Sequence, residues 1–131
     1  MLLAGKTALV TGAANRIGAQ IARTLHENGA NLIIHSRKST DSAELLEHQF
    51  NALRPGSACS LQAEFSNLEE IDHFSQKANQ AFGNLDILIN NASSFYPTPL
   101  GKITELDWED LLSSNLKAPL FLSQACYPSL R

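Results

Sequence analysis

Short apolar runs alternate along the chain with longer segments whose apolar positions recur every three or four residues. Lys6 to Val10 (KTALV) is a β-prone run, and Ile17, Ile21 and Leu25 then follow at four-residue spacing, which predicts a helix with one buried stripe that stops at Asn28-Gly29. Ala30 to His35 (ANLIIH) is a continuous apolar run of the buried parallel type. Ser39, Thr40 and Asp41 offer caps for a second helix, with Leu46, Phe50 and Leu53 on one face and Pro55-Gly56 at its end. Ala58 to Phe65 (ACSLQAEF) alternates and reads as an edge strand. Asn67 caps a third helix built on Ile71, Phe74, Ala78 and Phe82, which Gly83 closes. Leu85 to Ile89 (LDILI) is the fourth strand and leads into Asn90-Asn91-Ala92-Ser93. After a loop with Pro97, Pro99 and Gly101, Thr104 and Asp107 open a long final helix that Pro119 bends.

This order predicts an α/β protein: a Rossmann-type, doubly wound parallel sheet, β-α-β-α-β-α-β and a last helix, in one domain over residues 1–131. Ligands of such sheets bind outside the carboxyl ends of the strands, where the strand order reverses. Thr11-Gly12, His35-Ser36-Arg37, Glu64-Phe65 and Asn90-Asn91 all fall at strand ends, so one edge of the sheet collects the polar candidates.

Composition narrows the partners. A hydrophobic content of 44% with 18% charged residues is that of a globular domain, and a net charge of −3 gives no basic excess for nucleic acid. No apolar run reaches membrane-spanning length, so no membrane partner is expected. Cys59 and Cys126 lack any C-x-x-C spacing, which argues against zinc or a redox pair and for reduced thiols in the cytoplasm. His26, His48 and His73 share no ligand spacing and read as surface or satisfied side chains, so no metal is expected. Trp108 reads as helix packing or an oligomer contact.

The chemistry concentrates in Val10 to Gly18 (VTGAANRIG). Strand, glycine turn and helix in this order aim backbone N–H groups and a positive helix end at an anion, although a tight turn in an unrelated α/β domain has the same pattern. Gly12 permits the turn and Gly18 the close approach of helix to sheet. Arg16 stands at the usual middle glycine and sets a permanent cation beside a pyrophosphate or substrate. At the second strand's end, NAD enzymes present an acid to the ribose 2′-hydroxyl. Here His35-Ser36-Arg37-Lys38-Ser39 offers cations and hydroxyls, the setting for a 2′-phosphate, so NADPH is the expected cofactor; the alternative is a solvated Arg-Lys loop. Two charge-assisted bonds to that phosphate predict a preference over NADH of about a hundredfold or more.

Thr11-Gly12-x-x-x-Arg16-Ile17-Gly18, Asn90-Asn91-Ala92-Ser93 and Asn115 resemble the cofactor signature, the N-N-A-G strand end and the active-site asparagine of short-chain dehydrogenases/reductases. The arginine in the turn, His35-x-Arg37-Lys38-Ser39 and the segment Ser93 to Leu100 resemble the pteridine reductases of that family. The resemblance implies that Gly12, Asn15, Arg16, Ile17 and Gly18 meet the cofactor, with Arg16 on its pyrophosphate and on a pterin. It implies that Arg37, Lys38 and Ser39 hold the 2′-phosphate beside His35, and that Glu64 and Phe65 border the adenine. Asn91, Ala92 and Ser93 complete the cofactor site, Ser93 also bonds the pterin, and Phe95 covers it opposite the nicotinamide. Asn115 belongs to the catalytic set, through a helix distortion and a water of the proton relay.

Glu64 stands where the family commonly has aspartate, and Ser93 replaces the glycine of N-N-A-G, as is usual in the pteridine branch. The family's proton donor, a tyrosine with a lysine four residues on, has no counterpart. Tyr127 and Arg131 have the spacing, but Pro128 interrupts them and arginine does not titrate as lysine does. The economical reading is the N-terminal half of an NADPH-dependent reductase for a pterin or folate C=N, inactive alone. Its fourth strand and last helix would lack neighbours, which predicts self-association as a homo-oligomer. The alternatives are a carbonyl or 3-oxoacyl reductase and a non-catalytic NADPH-binding module; a methyltransferase is disfavoured by the cation at Arg37.

Overall fold

The computed structural model describes residues 1–94 and 96–131. The elements follow in the order β1 (Thr7–Val10), α1 (Arg16–Glu27), β2 (Asn31–Ser36), α2 (Thr40–Leu53), β3 (Ala58–Gln62), α3 (Leu68–Ala81), β4 (Ile87–Ile89), α4 (Glu105–Leu112), a π-helical turn (Ser113–Lys117) and α5 (Ala118–Leu130). The strands form one parallel sheet in the order β3-β2-β1-β4, with Leu9 opposite both Ile33 and Leu88. The order in which strands are added therefore reverses between β1 and β4, and β3 is an edge strand as its alternation predicts.

Both faces of the sheet are covered, which is why Ala8–Val10 of β1 and Leu32–Ile34 of β2 are apolar without interruption. Successive side chains of a strand point to opposite faces. Ala8, Val10, Leu32 and Ile34 pack on one side with Ala22 of α1 and with Leu46 and Phe50 of α2. Leu9 and Ile33 pack on the other with Ile71 and Phe74 of α3 and Leu122 of α5.

Several expectations need correction. The buried stripe of α1 is Gly18, Ala19, Ala22 and His26, with Ile21 and Leu25 only partly buried and Ile17 71% exposed. Small residues take the inner face because the helix lies close against the sheet. Leu53 is likewise 77% exposed, so the inner face of α2 is Ala43, Leu46 and Phe50. β3 ends at Gln62 and β4 begins only at Ile87, both shorter than the apolar runs. The long final helix is present from Glu105 to Leu130 but carries a π-helical turn: Ala118 N–H donates to the Ser113 carbonyl five residues back, and Pro119 sits in the first turn of α5. Proline has no N–H for the Asn115 carbonyl, so the α-helical ladder lapses there and the backbone widens into the π turn.

His26 is satisfied within the core: its Nε2 lies 2.7 Å from Ser57 Oγ and its ring stacks on Phe50. Burial, then the Arg54 charge, lower its pKa against a small opposing pull from Glu27. Cys59 and Cys126 are both free, and burial pushes each thiol up to about 11, Glu47 adding to the shift at Cys59.

Candidate functional site

The site grows from the end of β1. Gly12 has φ +61°, and a Cβ there would meet the Ala92 Cα at 2.9 Å, so both conformation and the approach of the β4 exit require glycine. A Cβ on Gly18 would collide with the Gly12 carbonyl and the Asn91 amide. Arg16 has φ +55° and is the one non-glycine residue with positive φ among those described. An arginine thus holds a left-handed conformation at the position where the motif usually has a glycine, a strain of order 1–3 kcal/mol of the kind that gathers at functional sites.

Two strand exits are locked to this turn. Thr11 Oγ1 accepts the N–H groups of Asn91 and Ala92 at 3.0 and 2.9 Å, and Asn91 Nδ2 donates to the Gly12 carbonyl at 3.1 Å. On the other side, the Gly12 N–H donates to His35 Nδ1 at 2.9 Å and the Ala13 N–H to the His35 carbonyl at 2.9 Å. Sequence reasoning names Thr11 in the opening motif and at the strand end but assigns it no role, because its bonds span about 80 residues.

A cleft of about 1140 Å³ opens above these strand ends. Every residue expected at the cofactor lines it, including Ile17, whose exposure is explained by its facing the cleft instead of the core. Arg37 is held by three groups: Nε donates to Glu64 Oε1 at 3.3 Å, Nη1 donates to Ser94 Oγ at 3.4 Å, and Asp110 Oδ1 lies 3.9 Å away. The Glu64 carboxylate, expected to meet an adenine, is therefore the ion-pair partner of Arg37. Lys38 is exposed and Ser39 caps α2 without a side-chain bond. Sequence reasoning also missed the contribution of α4, which brings Leu106, Glu109 and Asp110 to the cleft wall.

Asn115 lies in the π turn and its Nδ2 donates to the Ser94 carbonyl at 2.8 Å, while Ser114 Oγ accepts the Ser94 N–H at 3.2 Å. The turn thereby holds both backbone groups of Ser94. Phe95, expected over the substrate, lies outside the described residues. Next to it, the Tyr96 phenol is pushed up to about 12 by desolvation and by hydrogen bonds to, and the charges of, Asp110 and Asp107. It is thus the opposite of an acidified phenol. Tyr127 is exposed, its ring 5.9 Å from the Arg131 guanidinium. Among the described residues there is no cluster of His, Cys, Asp or Glu able to hold a metal and no helix long and apolar enough to cross a membrane.

A parallel sheet with helices on both faces and a crevice at its switch point is the doubly wound, Rossmann-type class. The chain belongs to the short chain dehydrogenase family, whose profile matches residues 6–131. It is 33% identical over 129 residues to an uncharacterized oxidoreductase of Staphylococcus aureus (strain USA300), covering 98% of this chain and 54% of that protein. It is 36% identical over 150 residues to pteridine reductase 1 of Leishmania tarentolae, covering 90% of this chain and 52% of that one. A short chain dehydrogenase from Burkholderia cenocepacia J2315, solved in complex with NADP, superposes with a TM-score of 0.94 at 35% identity, over 99% of this chain and 53% of that one. The chain spans about half the length of the curated relatives it matches.

Proposed function

We propose that residues 1–131 are the NADPH-binding domain of a short-chain reductase that reduces a pterin or folate C=N bond. The observation that carries the cofactor is the cation set at the β2 exit, Arg37 and Lys38 with Ser39, facing the same cleft as Arg16. The donor chemistry fits: cations and hydroxyls stand where a 2′-phosphate is expected, and the first turn of α1 holds no acid to oppose a pyrophosphate. The NADP complex of the Burkholderia relative agrees. In this reading Arg37 exchanges a carboxylate partner for the phosphate, Arg16 meets the pyrophosphate, and Asn91, Ala92 and Ser93 border the nicotinamide end. Bound NADPH supplies a hydride.

The pterin assignment rests on Arg16 and Ser93 at the cleft and on the resemblance to the Leishmania pteridine reductase. Asn115 holds the Ser94 carbonyl and, with no Tyr-x-x-x-Lys pair in these residues, the chain alone binds cofactor without turnover. The unpaired edge of β4 and the exposed Leu116 and Leu120 support self-association, which light scattering at micromolar concentration checks; a monodisperse monomer refutes it. The free cysteines support a cytoplasmic location.

The deciding experiment is titration of the chain with NADPH and NADH, with Arg37→Glu as control. The expected result is tighter NADPH binding and a loss of about a hundredfold on Arg37→Glu, with NADH little changed. Equal affinity for both nucleotides in the unmodified chain overturns the reading.

A further inference from the structure

One imidazole, on the exit of β2, joins the glycine turn after β1 to the exit of β3. His35 is 1% exposed at the end of β2. Its Nδ1 accepts the Gly12 N–H at 2.9 Å, and its Nε2 lies 2.9 Å from the Ala63 carbonyl beyond β3. A carbonyl only accepts, so Nε2 carries the proton. A neutral ring has a single N–H, so Nδ1 is left with the lone pair that the Gly12 amide needs. The two contacts select the same tautomer independently. Phe65 stacks on the ring at 4.5 Å and Phe74 of α3 meets it edge-on at 5.3 Å, which fixes the ring plane.

Resting on the cofactor reading above, we infer that His35 is a positioning residue: as the Nε2–H tautomer it holds Gly12 and the glycine turn at the spacing from β2 that receives the dinucleotide, without itself bonding the 2′-phosphate. Both ring nitrogens are committed inside the protein, whereas Arg37, Lys38 and Ser39 follow on the exposed side of the strand end. Protonation would set an Nδ1–H against the Gly12 N–H, donor against donor, and release the turn. The charged groups of the surrounding elements are Arg16 of the glycine turn, Arg37 and Lys38 of the β2 exit and Glu64 of the β3 exit; α3 presents the Phe74 ring. Burial holds the ring at about 4, against an opposing pull from the Ala63 bond, so the clamp is intact at neutral pH.

The test uses the 131-residue chain, His35→Leu, which removes the acceptor, and His35→Asn, whose amide oxygen returns one near the Nδ1 position. Long-range nitrogen–proton correlation of the unmodified chain at pH 7 should show a neutral Nε2–H ring, a measurement that needs no variant. Gly12 amide exchange should be at least about tenfold faster in His35→Leu and restored in His35→Asn. NADPH and NADH affinities should fall together by about tenfold in His35→Leu, their ratio unchanged, with recovery in His35→Asn. An Nδ1–H ring, or Gly12 exchange indifferent to both variants, overturns the clamp. A loss confined to NADPH overturns the positioning role and places His35 on the 2′-phosphate. Failure of the unmodified chain to bind either nucleotide overturns the cofactor reading, while tautomer and exchange still decide the clamp.

Discussion

At the amino end of α4, the Thr104 hydroxyl accepts the Asp107 N–H at 3.1 Å and the Asp107 carboxylate accepts the Thr104 N–H at 3.0 Å, with Glu105 adding a second acid to the first turn. At the amino end of α1, Asn15 makes no side-chain cap, the first turn has no acid, and Arg16 sits in the left-handed region. Each end begins with the same orphan N–H groups and the same positive end of the helix dipole. The first neutralises them from its own sequence; the second leaves them for something else. The self-satisfied end is part of the scaffold, and on the function proposed above the end left open at the cleft is the one that meets the nucleotide.

Acid should separate the two ends most strongly. The pKa of His35 is depressed in the folded chain from 6.5 to about 4, so the unfolded chain binds the extra proton first. Stability contributed by the neutral ring is complete above pH 6.5 and is lost as pH falls toward 4, by about 3 kcal/mol over that window. Asp107, held below the ordinary aspartate value of 3.8 chiefly by the Thr104 N–H, with the Thr104 hydroxyl and Tyr96 assisting against desolvation, loses its contribution only below that pH. Denaturant titrations at successive pH values, with amide exchange at Gly12 and Asp107 as local probes, should find the β1–α1 turn loosening first; simultaneous loosening would erase the distinction.

The next largest effect should come from closing the open end. Asn15→Asp brings a carboxylate to the amino end of α1, where it should strengthen the helix by up to about 1 kcal/mol and weaken NADPH binding by about tenfold. Melting and fluorescence titration read the two effects, and tighter binding would contradict the assignment of that end to an anion. The smallest effect should follow from opening the closed end: Thr104→Ala should cost about 1 kcal/mol of stability and leave nucleotide affinity unchanged.

The closed ends were legible in the sequence because a cap is a local event: Thr104 with Asp107, and Asn67 with Glu70, can be read within four residues and are present. The parallel sheet and its crevice were legible for a related reason, since the alternation of runs leaves few topologies. Ile17 and Leu53 were misplaced because spacing gives the period of a buried stripe and not its phase. At α1 the phase is decided by how close Gly18, Ala19 and Ala22 let the helix come to the sheet. The partners of Arg37 were invisible because Glu64 and Asp110 reach it from two other elements, and the tautomer of His35 because it needs Gly12 and Ala63 on opposite sides of one ring.

Position 16 would divide two kinds of selection. A laboratory screen rewarding heat resistance alone should drift from arginine to glycine there, since glycine adopts a φ of +55° without steric penalty. Its winners would keep every strand and helix and would have discarded the cation. Libraries built to harden this domain should therefore hold codon 16 constant, or score each survivor for nucleotide retention as well as for melting.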